Sequence, residues 1–524
     1  MSAPSELIAL ERAVEAVGAS RDIETVLQHQ PVFHAVHAAI DRDADPAQRA
    51  AVLAAVERLV PSDGLGRVFV LSFLVALSGE ARFLLQLQET LAQRQFTLRQ
   101  RHFFYWQLIT RHSHLRGLPD LEPSAVYATL LAQYHRSVNL TGAWIAPADR
   151  DADAVVVMTN QLLGRQHAPT ADCLDYCHVL QARLGKRVLL ISTADMPWEP
   201  SLPYYDANLF NRVEEYSMLS RLEFRGETFD FYQCRTPMPN LEEMRAILAA
   251  VQARRPSCVL SLGHSNVTAD LCSAFVTVAT MPFGTDLPRA SSNVFVLPRC
   301  RRPDDAAFMH QWRIADEQIV EAEYTFRLPE RTASLTRAEL GLPADAYVIA
   351  IVGNRLGEEV TNAVADDLAA LLSTAPQVFL AFAGTFPTFE RLAQRHPVFA
   401  TRSRFLGYQR DMLAVYACCD GYLNPPRYGG GSSAAFALAM GLPVMTAPVG
   451  DVANIAGPRF VMETPAAVSA FVRRSCADQT YRQEWAEAAR ARFDEISDRE
   501  GMLRRILEGV AARASIRREL IPSG

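Results

Sequence analysis

The residue types best suited to chemistry fall in one run, Asp420 to Pro443, with the sequence DGYLNPPRYGGGSSAAFALAMGLP. It predicts a strand, a glycine-rich turn, a small-residue helix and, at Gly441-Leu442-Pro443, the approach to a further strand. Gly429, Gly430 and Gly431 lack a Cβ, so their backbone N–H groups stay uncovered and an anion can come close to the main chain. Ser432 and Ser433 fall where the helix begins and add hydroxyls to the positive end of its dipole. That combination suits a diphosphate.

A second group ends another strand at Gly353-Asn354-Arg355. A guanidinium there can grip a leaving diphosphate bidentately and stabilise the charge that grows on it, or it can be a solvated loop arginine. Glu358 and Glu359 follow it and read as helix-start carboxylates. Two histidines qualify as general bases. His167 precedes Pro169 and Thr170 at the start of a helix, and His264 lies in the turn Gly263-His264-Ser265-Asn266 after a strand. A neutral imidazole can take a proton from an acceptor hydroxyl, while packing in a loop accounts for either residue equally well. Asp270 and Asp286 are further acidic candidates. Arg101 to Trp106 (RHFFYW) concentrates aromatics, which reads as core packing or as a surface for a peptide acceptor. Asp-x-Asp pairs fall only in polar turns, such as Asp41 to Asp43 and Asp151 to Asp153, so no metal is implied.

Positioning these groups takes several elements. At 524 residues the chain exceeds one core and should hold two to four domains. Residues 1–142 read as all-α. Apolar residues recur at three-and-four spacing over Ala50 to Val60 and Gly66 to Leu91, and the turn Gly117-Leu118-Pro119 punctuates them. From 143 the pattern changes to short apolar strands alternating with helices, which implies parallel sheets covered on both faces. Two such units are expected, residues 143–330 and 331–524, with the last helices crossing back to the first. A cleft between two Rossmann-like lobes is where ligands meet strand ends.

Composition closes off other classes. Charged residues make up 21% and the net charge is −6, which gives no electrostatic reason to expect nucleic acid or an anionic membrane. No apolar run reaches the roughly 18 residues that span a bilayer. The first residues lack the basic start and apolar core of a signal peptide, and the expectation is a cytoplasmic protein. Nine cysteines show neither disulfide nor zinc spacing and read as buried thiols.

From Phe405 onward the sequence resembles the C-terminal lobe of GT-B glycosyltransferases. Phe405-Leu406-Gly407-Tyr408, a helix, Asp420, Asn424-Pro425, the glycine turn and Ala439 to Pro443 follow one another in the order common to that fold. The run is most similar to the O-GlcNAc transferase family and its bacterial branch of cytoplasmic protein N-glycosyltransferases. Asp420, Asn424, Pro425, Tyr428, Gly429, Gly441 and Leu442 match that branch without gaps, and Gly430 to Ser433 takes the place of the diphosphate-holding turn. The resemblance implies a GT-B fold after an all-α domain. It also implies a donor site, for which the candidates are Asn354, Arg355, Tyr408, Asn424, Gly430, Gly431, Ser432 and Ser433; Arg355 and, by their placement alone, His167 and His264 are the catalytic candidates. One departure is Phe436, which replaces the family's ribose-binding Asp. Retaining GT-B enzymes place two glutamates where this chain has Tyr428 and Phe436, which points to inversion. The expected activity is transfer of a hexose from a nucleotide diphosphate, UDP first among them, to an Asn or Ser/Thr side chain of a protein, without cofactor or metal. GDP, dTDP and CMP donors stay open, as do a polysaccharide or lipid-linked acceptor and a non-catalytic, partner-binding relative.

Overall fold

The computed structural model describes residues 3–20, 23–43, 46–93, 96–114, 123–165, 167–196 and 212–517. The expected turn at Gly117 to Pro119 lies outside them. Up to Val138 the described residues form helices and no strand. The helix Gly64–Ser78 (GLGRVFVLSFLVALS) is apolar almost all round, and it packs against Ala3–Ala19, Pro46–Arg58 and Ala81–Ala92 as the centre of this unit. The apolar run from Gly66 to Leu91 is therefore two helices. Gly79, at φ 67°, closes the first by donating its N–H to the Val75 carbonyl.

Two sheets follow. The first contains β1 (Asp151–Thr159), β2 (Arg187–Ser192), β3 (Arg221–Phe224), β4 (Glu227–Gln233), β5 (Pro256–Leu262), β6 (Val278–Met281), β7 (Val294–Leu297) and β8 (Ile319–Glu321). Its order is β3-β4-β2-β1-β5-β6-β7-β8. All neighbours are parallel except β3 and β4, a hairpin turning at Arg225 and Gly226 with φ 52° and 81°. The second contains β9 (Tyr347–Gly353), β10 (Val378–Gly384), β11 (Ser403–Phe405), β12 (Gly421–Asn424) and β13 (Val444–Thr446), all parallel, in the order β11-β10-β9-β12-β13. Central strands such as β1 and β9 are buried residue after residue, as strands covered on both faces must be.

These orders locate the ligand crevices. Succession along the chain reverses between β1 and β5 in the first sheet and between β9 and β12 in the second, which opens a crevice beyond the strands' C-terminal ends. The lobes are joined by one hydrophobic cluster linking Leu174, Tyr324 and Phe326 to Ala434, Ala435 and Ile455. The last helix, Arg499–Ala512, crosses back onto the helix Ala168–Ala182 of the first lobe. There Arg499 donates to Asp172, Asp175 and the Thr325 carbonyl at 2.7–2.8 Å, with only 6% of its side chain exposed.

Candidate active site

The glycine turn follows β12 and faces the first lobe. Gly429 and Gly430 adopt φ 97° and 85°, the left-handed region that favours glycine, and deliver the chain into the helix Gly431–Ala439. A Cβ on Gly431 would come within 2.3 Å of the Ile455 side chain. The first N–H groups of that helix have no partner within it, and half-buried Ser432 and Ser433 stand among them. Gly429 to Ser432 line a cavity between the lobes. Its other walls are Ala168, Pro169 and Asp172, the loop Phe283-Gly284-Thr285, Tyr324, Phe326 and Asp451.

Beneath the turn lies a residue the sequence did not flag. Arg427 is 8% exposed, and its guanidinium donates to the Asn424 side chain at 2.8 Å and Glu359 Oε2 at 2.6 Å. It also donates to the Val352 carbonyl at 2.7 Å and the Tyr422 hydroxyl at 3.0 Å. The surrounding glycines make room for it. A Cβ on Gly353 would approach Arg427 Nη1 to 2.4 Å and one on Gly430 would approach Nη2 to 2.7 Å, while one on Gly450 would come within 2.2 Å of the Arg427 carbonyl. The only sequence signal for it was a charged residue inside an otherwise small and apolar motif.

Arg355 follows β9 and stands beside the turn. Its contacts are long: Nε to Glu359 Oε1 at 3.3 Å and Nη2 to the Tyr428 carbonyl at 3.3 Å, with 54% of the side chain exposed. Glu359 lies in the first turn of the helix Leu356–Glu359, as expected, and it also bridges the two arginines from a position 9% exposed. Asn424 is buried, and its amide is taken up by Arg427 and by Thr446 at 3.3 Å, so it shapes the turn through Arg427. Asn354 is exposed, and its Oδ1 lies 3.4 Å from where a Cβ on Gly384 would be, at the end of β10. Tyr408 is 70% exposed beyond β11, on the same edge of the sheet but outside the walls of the cavity. Phe436 is half-buried against the hydrophobic cluster and offers no acceptor to a ribose.

Both histidines flank the crevice of the first sheet. His264 follows β5, and its Nδ1 accepts the Arg289 N–H at 3.2 Å. A neutral ring held this way carries its proton on Nε2 and is a donor there, not a base. His167 immediately precedes Ala168 and Pro169 of the cavity wall, and its Nδ1 lies 3.1 Å from Thr170 Oγ1. Burial pushes its pKa below the usual histidine value, so it is neutral near pH 7. In the tautomer that donates from Nδ1 to Thr170, its Nε2 lone pair is open to a proton.

The acidic candidates separate. Asp270 is fully buried and accepts from the Tyr127 hydroxyl at 2.5 Å, the Ser291 N–H and the Ser292 hydroxyl, which makes it a core residue. Asp286 is half-buried on the interlobe loop. On that loop Thr285 donates its N–H and hydroxyl to Asp451 Oδ1 at 2.9 and 2.7 Å, latching the lobes together. Arg101, His102, Phe104, Tyr105 and Trp106 are buried, so that run is core, not a docking surface. Seven cysteines are buried thiols, whereas Cys300 is exposed and Cys476 half-buried. Among the described residues no helix is long and apolar enough to cross a membrane, and no cluster of His, Cys, Asp or Glu is arranged to hold a metal ion.

Solved structures share this architecture. A mutant of the Thermobaculum terrenum O-GlcNAc transferase aligns over 97% of this chain and 98% of its own, with 16% identity and a TM-score of 0.50. A glycosyltransferase from Rickettsia africae aligns over 69% of this chain and 99% of its own, with 14% identity and a TM-score of 0.51. The fold is GT-B. At these identities the likeness is one of fold. No protein-family model and no curated protein matches the sequence.

Proposed function

We propose that this chain is an inverting glycosyltransferase that moves a hexose from a UDP-linked donor to an Asn or Ser/Thr side chain of a protein. One observation carries the reading: the left-handed Gly429-Gly430 turn opens into a helix N-terminus that lines the interlobe cavity, with Arg355 beside it. Helix N–H groups and two serine hydroxyls suit the diphosphate, and Arg355 suits the charge that grows on it as the glycosidic bond breaks. Tyr428 and Phe436 stand where a retaining enzyme has carboxylates, which favours direct inversion. His167 is the better candidate for the base, because its protonation state fits and it adjoins the cavity wall from the acceptor side. A protein acceptor is favoured by the likeness, over nearly the whole chain, to an enzyme called an O-GlcNAc transferase.

Incubating the purified protein with UDP-glucose, UDP-N-acetylglucosamine and a mixture of Asn- and Ser/Thr-containing peptides, followed by mass spectrometry, tests the reading. A hexose or N-acetylhexosamine mass added to a peptide, with release of UDP, is expected. UDP binding without transfer to any peptide would favour the reading in which the lobes hold a nucleotide but serve a partner.

A further inference from the structure

Two arginines share one carboxylate at this site, and they share it unequally. Glu359 Oε2 takes a short bond of 2.6 Å from Arg427, which is almost wholly buried. Its Oε1 takes a long one of 3.3 Å from Arg355, which is half exposed at the edge of the turn. Arg427 is further fixed by Asn424, Val352 and Tyr422, so it cannot leave without stranding a buried carboxylate and three acceptors. Arg355 is bound only by two contacts at the limit of hydrogen-bond length, so it can turn toward an anion at little cost.

We propose that Arg427 is a positioning residue that occupies Glu359 and so keeps Arg355 free for the donor diphosphate. This rests on the diphosphate reading of the glycine turn and adds to it. Arg427 touches no substrate, because it lies under the turn and its Nε, Nη1 and Nη2 are each already bonded to the protein. It acts by neutralising Glu359. Without its charge, the whole attraction of a barely exposed carboxylate falls on Arg355 and draws that guanidinium inward, away from the mouth of the turn. The sequence between the two residues fits this division. Arg355 and Glu359 stand four apart across the short helix Leu356–Glu359, which makes them natural partners, and only a second, better-held cation stops them pairing tightly.

The test is UDP calorimetry on the purified full chain. Arg427→Met should weaken UDP binding at least about tenfold, and Arg355→Ala added to it should change affinity by no more than about twofold further. Adding Glu359→Gln to Arg427→Met should recover most of the loss, because no carboxylate then competes for Arg355. A loss that Glu359→Gln leaves untouched would overturn the proposal and reduce Arg427 to a scaffold for the turn. If Arg427→Met does not fold, Glu359→Gln alone decides. Since Arg427 already holds the carboxylate and leaves Arg355 free, this variant should leave UDP binding within about twofold of wild type, and a larger change in either direction would overturn the proposal. Wild-type protein that binds none of UDP, GDP or dTDP would sink the diphosphate reading itself. Wild-type binding with Arg427 and Arg355 contributing independently sinks this proposal alone.

Discussion

At the scale of single residues, labour is divided between groups that hold the donor and groups that act only as bonds change. Arg355→Ala should lower turnover more than it lowers UDP affinity, since the charge it meets is greatest in the transition state. Setting steady-state rates beside calorimetric affinities gives the split. His167→Gln should cut turnover by about 10²–10⁴-fold and leave UDP affinity near wild type. Because burial lowers the pKa of His167, the acid limb of kcat/KM should fall below about 6.5, and the rate should be flat across neutral pH. A limb at or above that value would assign the base elsewhere. The glycine turn, the helix start at Ser432 and Ser433 and the strand-end position of Arg355 were legible in the sequence because such positions follow from residue type and order. Arg427 and the bridging role of Glu359 were not, since a buried ion pair formed 68 residues apart leaves no local pattern. Nor was the pairing of His264 Nδ1 with the Arg289 backbone, which changes what that ring can do.

Among the elements, those with strong periodicity were legible and those set by turns or distant partners were not. β1, β9 and β10 announce themselves as apolar runs bounded by turn residues. The β3–β4 hairpin does not, because it turns at Arg225-Gly226 instead of the Asn-Gly or Asp-Gly that marks such turns. β7 and β8, four and three residues long, are too short to show a period. The junction of the helical unit with the end of β2 also carries a titration. Asp195 is wholly buried there, and burial pushes its carboxyl up to about 7, although Oδ2 accepts the Val267 N–H at 2.6 Å. His102 Nε2 pairs with the Asp195 carbonyl, and the Tyr134 ring packs on His102. A raised acid pKa means the native state binds the extra proton between the unfolded value of about 3.9 and about 7, so this group's contribution to stability is lost as pH rises through that window. Asp195→Asn imitates the protonated form. Its melting temperature should gain on wild type from pH 4 to pH 7 and then level off. Parallel melting curves at every pH would contradict this.

On the scale of the whole molecule, two lobes, a cleft and a helical N-terminal unit were legible from the change of pattern near residue 143 and the recurrence of strand and helix. What pins the lobes together was not, because it depends on charges far apart in sequence. Arg499, on the last helix, fills a buried acidic pair on the first lobe, and Asp451 clasps Thr285 across the cleft. Arg499→Met leaves Asp175 with Arg225 and Arg327 and Asp172 with the Tyr324 hydroxyl, and should cost about 1.5–3 kcal/mol, read by urea denaturation. The cleft is useful only if the turn on its far wall binds a diphosphate, and calorimetry with UDP, comparing wild type with Ser432→Ala/Ser433→Ala, asks this most directly. Two hydroxyl hydrogen bonds to a charged group are worth about 1.5–3 kcal/mol each, less if they act together, so the double variant should bind at least about tenfold more weakly. Its melting curve should stay close to wild type. Weakened binding with an intact fold is the predicted result, and unchanged UDP affinity in a folded double variant would contradict the account.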